Sequence, residues 1–291
     1  MRNILCVTLI ALLGGCTSTS VTEKYQDKRN DIINVKDKVI EFETGNVLIG
    51  SVSRLYMSNK CLLIADHKSV DKQIHIFNKN DFSYLTSIGN FGEGPEEITV
   101  MGCLAIDEAH HQLYVSDHAK QKIFSYDMDS VMVDSLYKPQ VKTAMNETLF
   151  PSEYQYINDT LSIAVLIKPT STSTFNQFLG RWNMNTGEMI PMKYTHPDIQ
   201  KKRITFAASE KAGIYVECYT RHDLMTICSL DGELLYNIYG PDWDGGNGNK
   251  LQSFGTVMIG NDKIFVSYCG EDYARDSFPT KILVFDLEGN Y

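Results

Sequence analysis

The sequence predicts an all-β fold, a β-propeller of four-stranded blades, and three observations carry that prediction. Short apolar runs recur at Leu62-Leu63-Ile64-Ala65, Leu113-Tyr114-Val115-Ser116, Leu161-Ser162-Ile163-Ala164, Ile214-Tyr215-Val216-Glu217 and Ile264-Phe265-Val266-Ser267, at steps of 51, 48, 53 and 50 residues. Each run sits in a unit of about four strand-like segments. Helical periodicity, with apolar residues at every third or fourth position, is almost absent. One such unit cannot bury both of its faces, so units must pack side by side around a ring. A β-sandwich, the competing all-β arrangement, does not account for five units in register.

The chain opens with a positive residue, Arg2, an apolar stretch from Ile4 to Leu13, and then Leu13-Gly14-Gly15-Cys16. Ten apolar residues are too short to cross a hydrocarbon layer of about 30 Å as a helix. Charge, short apolar core and small residues before a cut form a secretory signature. Cysteine directly after Leu-Gly-Gly resembles the bacterial lipobox, which implies cleavage before Cys16 and acylation of that cysteine. Residues 1–15 are therefore expected to be a lipoprotein signal peptide, and 16–38, polar and rich in Thr, Ser, Asp, Asn and Lys, a flexible tether. Residues 39–291 form the expected propeller domain. The expected address is the outer membrane, lipid-anchored; Thr17 to Val21 carry no acidic cluster resembling a surface-export signal, so the periplasmic face is preferred to the cell surface.

Within each unit the anchor run is the second strand. A third follows at Gln73 to Phe77, Lys122 to Tyr126, Gln177 to Trp182, Leu224 to Ser229 and Lys281 to Phe285. Turns such as Asp231-Gly232 lead to fourth strands such as Leu234 to Tyr239, and a first strand precedes each anchor, as at Val47 to Tyr56 and Cys103 to Ile106.

Gly89-Asn90-Phe91-Gly92-Glu93-Gly94-Pro95-Glu96-Glu97 resembles the GxxGxGPxE segment after the first blade of TolB-like six-bladed β-propeller lipoproteins of Bacteroidota. The strand Ile74-His75-Ile76-Phe77, the turn Trp182-Asn183-Met184-Asn185-Thr186-Gly187, and the strands Asp223 to Cys228 and Val284 to Gly289 extend the likeness from about residue 45 onward. The resemblance implies fold and location and no particular activity, since that family is largely uncharacterised. It also implies six blades, whereas five anchors are visible and the chain stops at Tyr291, where a fourth strand of the fifth blade should begin. The expectation is a truncated six-bladed ring, with an unpartnered edge at Lys281 to Asp286 and an exposed face near Val266 and Ile282. In the alternative, a closed five-bladed ring, Val39 to Phe42 supplies the missing strand.

The formal net charge is −9, and removal of the signal leaves 26 basic against 36 acidic residues. That balance argues against nucleic acid or an anionic lipid surface as partner, since both require clustered Lys and Arg. Lys201-Lys202-Arg203, the one basic cluster, reads as a solvated turn. Beyond Cys16 lie Cys61, Cys103, Cys218, Cys228 and Cys269, an odd number at irregular spacings and without CxxC, so buried free thiols are expected. Pairing across the turn near Arg221 sets Cys218 opposite a residue near 225, away from Cys228.

In a propeller the turns from second to third strand, and from fourth strand into the next blade, share one face. That geometry gathers 66–71, 91–97, 117–121, 169–176, 241–250 and 270–279 onto one surface, where binding residues usually sit. The candidate ligand-binding residues are Asp66, His67, Asp117, His118, His222, Trp243, Asp244, Tyr273 and Arg275. Asp66-His67 and Asp117-His118 repeat at an offset of 51. They read either as acid–base or metal residues at the channel mouth, or as turn carboxylates accepting backbone N–H bonds beside solvated histidines. Repetition by blade favours the second. Gly92 to Glu97 lacks the Lys and helix of a phosphate loop. Asp242 to Asn249 has oxygen ligands at alternate positions, but Ser253 stands where a calcium loop needs Glu. No Gly-x-Ser-x-Gly or HExxH motif is present.

These readings point to a lipid-anchored envelope propeller acting as a binding or scaffolding module for an envelope protein, peptide or glycan, with no cofactor and no nucleic acid. The alternative is a metal-dependent hydrolase or lyase at the channel mouth, with His67, His118 and His222 as ligands.

Overall fold

The computed structural model describes residues 22–134, 136–200, 202–246, 251–272 and 278–291. Cys16, Tyr273 and Arg275 lie outside the described residues. A short strand, β1 (Glu23–Tyr25), precedes five sheets that follow one another along the chain. Blade 1 is β2 (Ser53–Met57), β3 (Cys61–Asp66), β4 (Lys72–Asn78) and β5 (Tyr84–Asn90). Blade 2 is β6 (Met101–Asp107), β7 (Gln112–Asp117), β8 (Lys122–Asp127) and β9 (Gln140–Ala144), with a single helix α1 (Met128–Val133) before its last strand. Blade 3 is β10 (Phe150–Asn158), β11 (Leu161–Pro169), β12 (Phe175–Trp182) and β13 (Met189–Pro191). Blade 4 is β14 (Ile204–Ser209), β15 (Ile214–Tyr219), β16 (Leu224–Ser229) and β17 (Leu234–Tyr239). Blade 5 is β18 (Leu251–Gly260), β19 (Lys263–Asp272) and β20 (Lys281–Asp286). Within each blade neighbouring strands are antiparallel. The fold is thus the all-β propeller expected, and every anchor run falls in the second strand of a blade.

The second strands of blades 2, 3 and 4 are apolar on both sides because each of these blades packs against a neighbour on each face. Alternation assigns the faces: in β15, Val216 and Cys218 join Ile264 and Val266 of blade 5, whereas Tyr215 and Tyr219 join Ile163 and Leu179 of blade 3. Equivalent layers join blade 1 to blade 2 through Leu63, Ile74, Val115 and Phe124, and blade 2 to blade 3 through Tyr114, Ile123, Leu166 and Trp182. Cys61, Cys103, Cys218, Cys228 and Cys269 are buried and none of them forms a disulfide, and Cys218 stands opposite Met225 as the turn register requires.

The ring is open between blades 5 and 1. Among the described residues no hydrophobic layer joins these two blades, in contrast to the four other seams. Among the described residues β20 pairs only with β19. Leu283 and Phe285 face blade 4, while Ile282, on the opposite side of the same strand, is 67 % exposed. Val266 differs from Ile282, since it is fully buried against blade 4. The closed five-bladed alternative is not what forms: Val39 to Phe42 is not a strand, and Ile40 is 85 % exposed. Phe42 instead stacks on Phe82 of blade 1, at 4.4 Å between ring centroids.

Part of the stretch expected as tether is docked. β1 runs parallel to β17 and extends blade 4 to five strands, with Glu23 opposite Asn237 and Tyr25 opposite Tyr239. The Glu23 carboxylate accepts from the Asn237 amide and the Tyr239 hydroxyl. Arg29 then reaches the Asp223 carboxylate at 2.9 Å, its side chain 8 % exposed and that of Asp223 fully buried. Its guanidinium lies over the Tyr268 ring, 5.1 Å from the centroid, which ties blade 4 to blade 5.

Candidate functional site

In blades 1 and 2 the turn after the second strand begins with an acidic group, Asp66 or Asp117, whose work is structural. Asp66 accepts from the backbone N–H of Gly50 at 2.7 Å and of Lys68 at 2.9 Å. Burial opposes ionisation of Asp66, but these N–H groups outweigh it and hold the carboxyl below its usual range. Asp117 accepts from Thr99, Val100, Ala119 and Lys120. Gly50, Thr99 and Val100 lie just before the first strand of the same blade. Each carboxylate therefore pins the entry of its innermost strand to the turn two strands away. Both are buried, and neither offers oxygen to a ligand. The repeat by blade had this meaning.

The adjacent histidines are a different case. Nδ1 of His67 lies 3.2 Å from the Met101 carbonyl oxygen of blade 2. A carbonyl can only accept, so Nδ1 carries the proton of the neutral ring and Nε2 is left as an acceptor. The His118 ring packs edge-on to Phe150 of blade 3, at 6.1 Å. Nε2 of both rings is buried and has no hydrogen-bond partner. Burial pushes both imidazoles below their ordinary pKa, so they are neutral at physiological pH. Both rings are half-buried, so of the two readings of these histidines the solvated one holds for part of each ring and not for Nε2. Beside them Arg54, on the innermost strand of blade 1, meets Glu153, on that of blade 3, at 2.8 Å. The Arg54 charge acts on both His67 and His118, and that of Glu153 on His118, which groups the four side chains at one mouth among blades 1, 2 and 3.

His222 belongs to a second cluster on the same face. Its ring lies 6.1 Å from Trp243 and 6.5 Å from Tyr219, and His196 joins them at 5.6 Å from Trp243. His196 is buried and its Nε2 lies 2.9 Å from the Tyr239 hydroxyl. Nδ1 of His222 sits 3.9 Å from the Asp244 carboxylate. Trp243 is half-buried among these rings rather than standing free. Beneath this cluster Lys202 departs from the reading of Lys201-Lys202-Arg203 as a solvated turn, while Arg203 is exposed and Lys201 lies outside the described residues. Lys202 is buried against the Glu217 carboxylate at 2.9 and 3.0 Å, and the Tyr219 hydroxyl donates to the same group. Full pairing is what makes a buried Lys tolerable.

His67, His118 and His222 do not supply three ligand atoms to one point. Among the described residues, one trio of such side chains has its ligand atoms within 4.8 Å of one another, Asp107, His110 and Asp159. It lies on the opposite face and is satisfied internally. His110 Nδ1 is 2.8 Å from Asp107, the Tyr156 hydroxyl donates to Asp159, and the hydrogen bond to Asp107 raises the His110 pKa.

The model of one family, DUF5128, described as a 6-bladed beta-propeller, matches residues 17–178, more than half of the chain. The chain belongs to the DUF5128 family. That family is described as six-bladed, and the described residues of this DUF5128 member form five blades around an open ring. Its fold is shared with a member of the DUF4221 family from Bacteroides vulgatus, at 10 % identity and a TM-score of 0.53, covering 82 % of this chain and 78 % of the other. A protein of Bacteroides fragilis named as exported is similar at 14 % identity and a TM-score of 0.51, covering 92 % and 80 %. A structure of a nidogen/laminin complex is similar at 10 % and 0.51, covering 79 % and 72 %. No curated protein matches the DUF5128 chain.

Arg54, Glu153 and His196 were not singled out in the sequence. The first two are charges within innermost strands, a position that faces the channel. His196 comes to His222 only through the packing of blade 3 on blade 4.

Proposed function

We propose that the protein is a lipid-anchored envelope propeller that binds a protein, peptide or glycan at this face, without catalysing a reaction. The carrying observation is the pair of unpartnered Nε2 atoms of His67 and His118. A buried polar atom left without a partner costs about 1–3 kcal/mol. Both atoms lie just beneath the surface of the mouth, so a peptide or sugar that displaces the side chains above them would bring its N–H or O–H groups to the Nε2 acceptor of His67. Arg54 and Glu153, half-exposed at the same mouth, add one donor fork and one acceptor. Trp243 and His222 offer an aromatic shelf nearby.

The envelope address rests on Leu13 to Cys16 and on the likeness to an exported protein of Bacteroides fragilis. It predicts that Cys16→Ser releases the protein from the membrane fraction. The binding reading is tested with the folded protein on peptide and glycan arrays, read in parallel with His67→Ala/His118→Ala and Arg54→Ala. Specific binding that both variants lose while their folding is intact supports it. Binding untouched by either variant, or turnover of a substrate abolished by one of them, sinks it.

A further inference from the structure

Taken with the lipid anchor proposed above, on which this inference rests, the docked N-terminal segment fixes how the ring sits on the membrane. A free stretch of residues 16–38 could hold the propeller up to about 80 Å from its anchor, at about 3.6 Å per extended residue. The segment is not free over that length. The carbonyl of Thr22 accepts from the N–H of Asn237 at 2.7 Å, and the N–H of Gln26 donates to the Tyr239 carbonyl at 2.9 Å. The Lys24 ammonium donates to the carbonyl of Glu288 at 2.8 Å. Arg29 then closes on Asp223. Five residues remain between Cys16 and Thr22, and that length of chain reaches about 20 Å at most.

Thr22 lies beside Asn237, part-way along the outermost of the blade 4 strands, so the chain leaves the propeller at its rim and not at either face. We infer that the rim of blade 4 faces the lipid surface. The axis of the ring then lies along the membrane, and the face carrying His67, His118 and His222 opens sideways. Two side chains at the exit point suit that placement. Tyr25 is 64 % exposed and stacks on Tyr239, with ring centroids 4.5 Å apart, and tyrosine is favoured where an apolar layer meets water. Lys24 lies over the Tyr236 ring, its ammonium 3.9 Å from the centroid, at the same rim. Blade 2 provides the contrast. Val141, on its outermost strand, is 50 % exposed on a rim to which no anchor segment is attached.

The test uses the full chain in native membranes, with a benzophenone amino acid placed at position 25, 24 or 141 and crosslinking to lipid read by mass spectrometry. Lipid adducts at 25 and 24, with none at 141, are expected. Inserting a flexible spacer of about twenty residues between Val21 and Thr22 should keep the protein in the membrane and abolish the adducts. Adducts of equal yield at 25 and 141, adducts that survive the spacer, or none at 24 and 25 in a protein that fractionates with membrane, would overturn the orientation. Cys16→Ser in the same membranes separates the two readings: its retention defeats the anchor itself, whereas its release alongside any of those results defeats the orientation alone.

Discussion

Arg29→Ala should detach the N-terminal strand and loosen the seam between blades 4 and 5. In the native protein the buried Asp223 carboxylate has the Arg29 guanidinium at 2.9 Å, with the Asp242 N–H at 3.2 Å and the Tyr268 hydroxyl at 3.3 Å as its other donors. Removing one member of a buried ion pair costs about 3–5 kcal/mol, because the other charge is left in a low-dielectric site. Arg29 retains 8 % exposure, so water reaches part of the vacated space and the lower end applies, about 3 kcal/mol. In a domain of this size that lowers Tm by about 6–12 °C. The assay is urea denaturation of wild type, Arg29→Ala, Asp223→Asn and the double variant. The two single losses should exceed the double by about 2 kcal/mol, the signature of a coupled pair. A loss below about 0.5 kcal/mol for Arg29→Ala, the range of an ordinary surface change, refutes the reasoning.

Asp117→Ala strips the acceptor from four backbone N–H groups and should cost about 3 kcal/mol in urea denaturation, with Asp117→Asn intermediate because one oxygen remains. His67, His75, His118, His196 and His222 are all held below their ordinary pKa by burial, so the folded state binds fewer protons than the unfolded chain. Stability should therefore fall as pH drops from 7.5 through 6.5 towards 5.5, and His118→Gln should flatten that slope in denaturation curves. On β20, Leu283→Ala should cost about 2–4 kcal/mol and Ile282→Ala less than about 0.5, since the first side chain faces blade 4 and the second faces open space. Burial pushes the Cys103 thiol up to about 12, so it should resist a thiol reagent in the native protein and react fully in urea.

The blades were legible because a strand buried on both faces leaves a dense apolar run, and five such runs at nearly constant spacing fix the repeat. Leu62 to Ala65 and Leu113 to Ser116 are examples, and the segment Gly89 to Glu97 marks the first crossing between blades. The turn carboxylates Asp66 and Asp117 were legible for the same reason, as a structural element that recurs with the blade. What escaped the sequence depends on partners far away in it. Arg29 stands in a polar stretch that no local pattern distinguishes from a tether, and only Asp223, 194 residues later, gives it a role. Lys202 looked solvated because its neighbours are basic, but Glu217 and Tyr219 across the sheet decide its burial. Arg54 and Glu153 meet only because the innermost strands of blades 1 and 3 converge on the channel.

The first described strand of the chain finds its place beside one of the last. Glu23 and Asn237 are 214 residues apart, so during synthesis the amino-terminal segment emerges early and stays without its partner until blade 4 exists. Contacts of such long range close late, after the local hairpins of each blade. A chain halted before β17 has nowhere to dock residues 22–29, and a protease would find them accessible. The arm thus works as a completion seal: its protection from cleavage reports, from one end of the molecule, that the blades at the other end have been built.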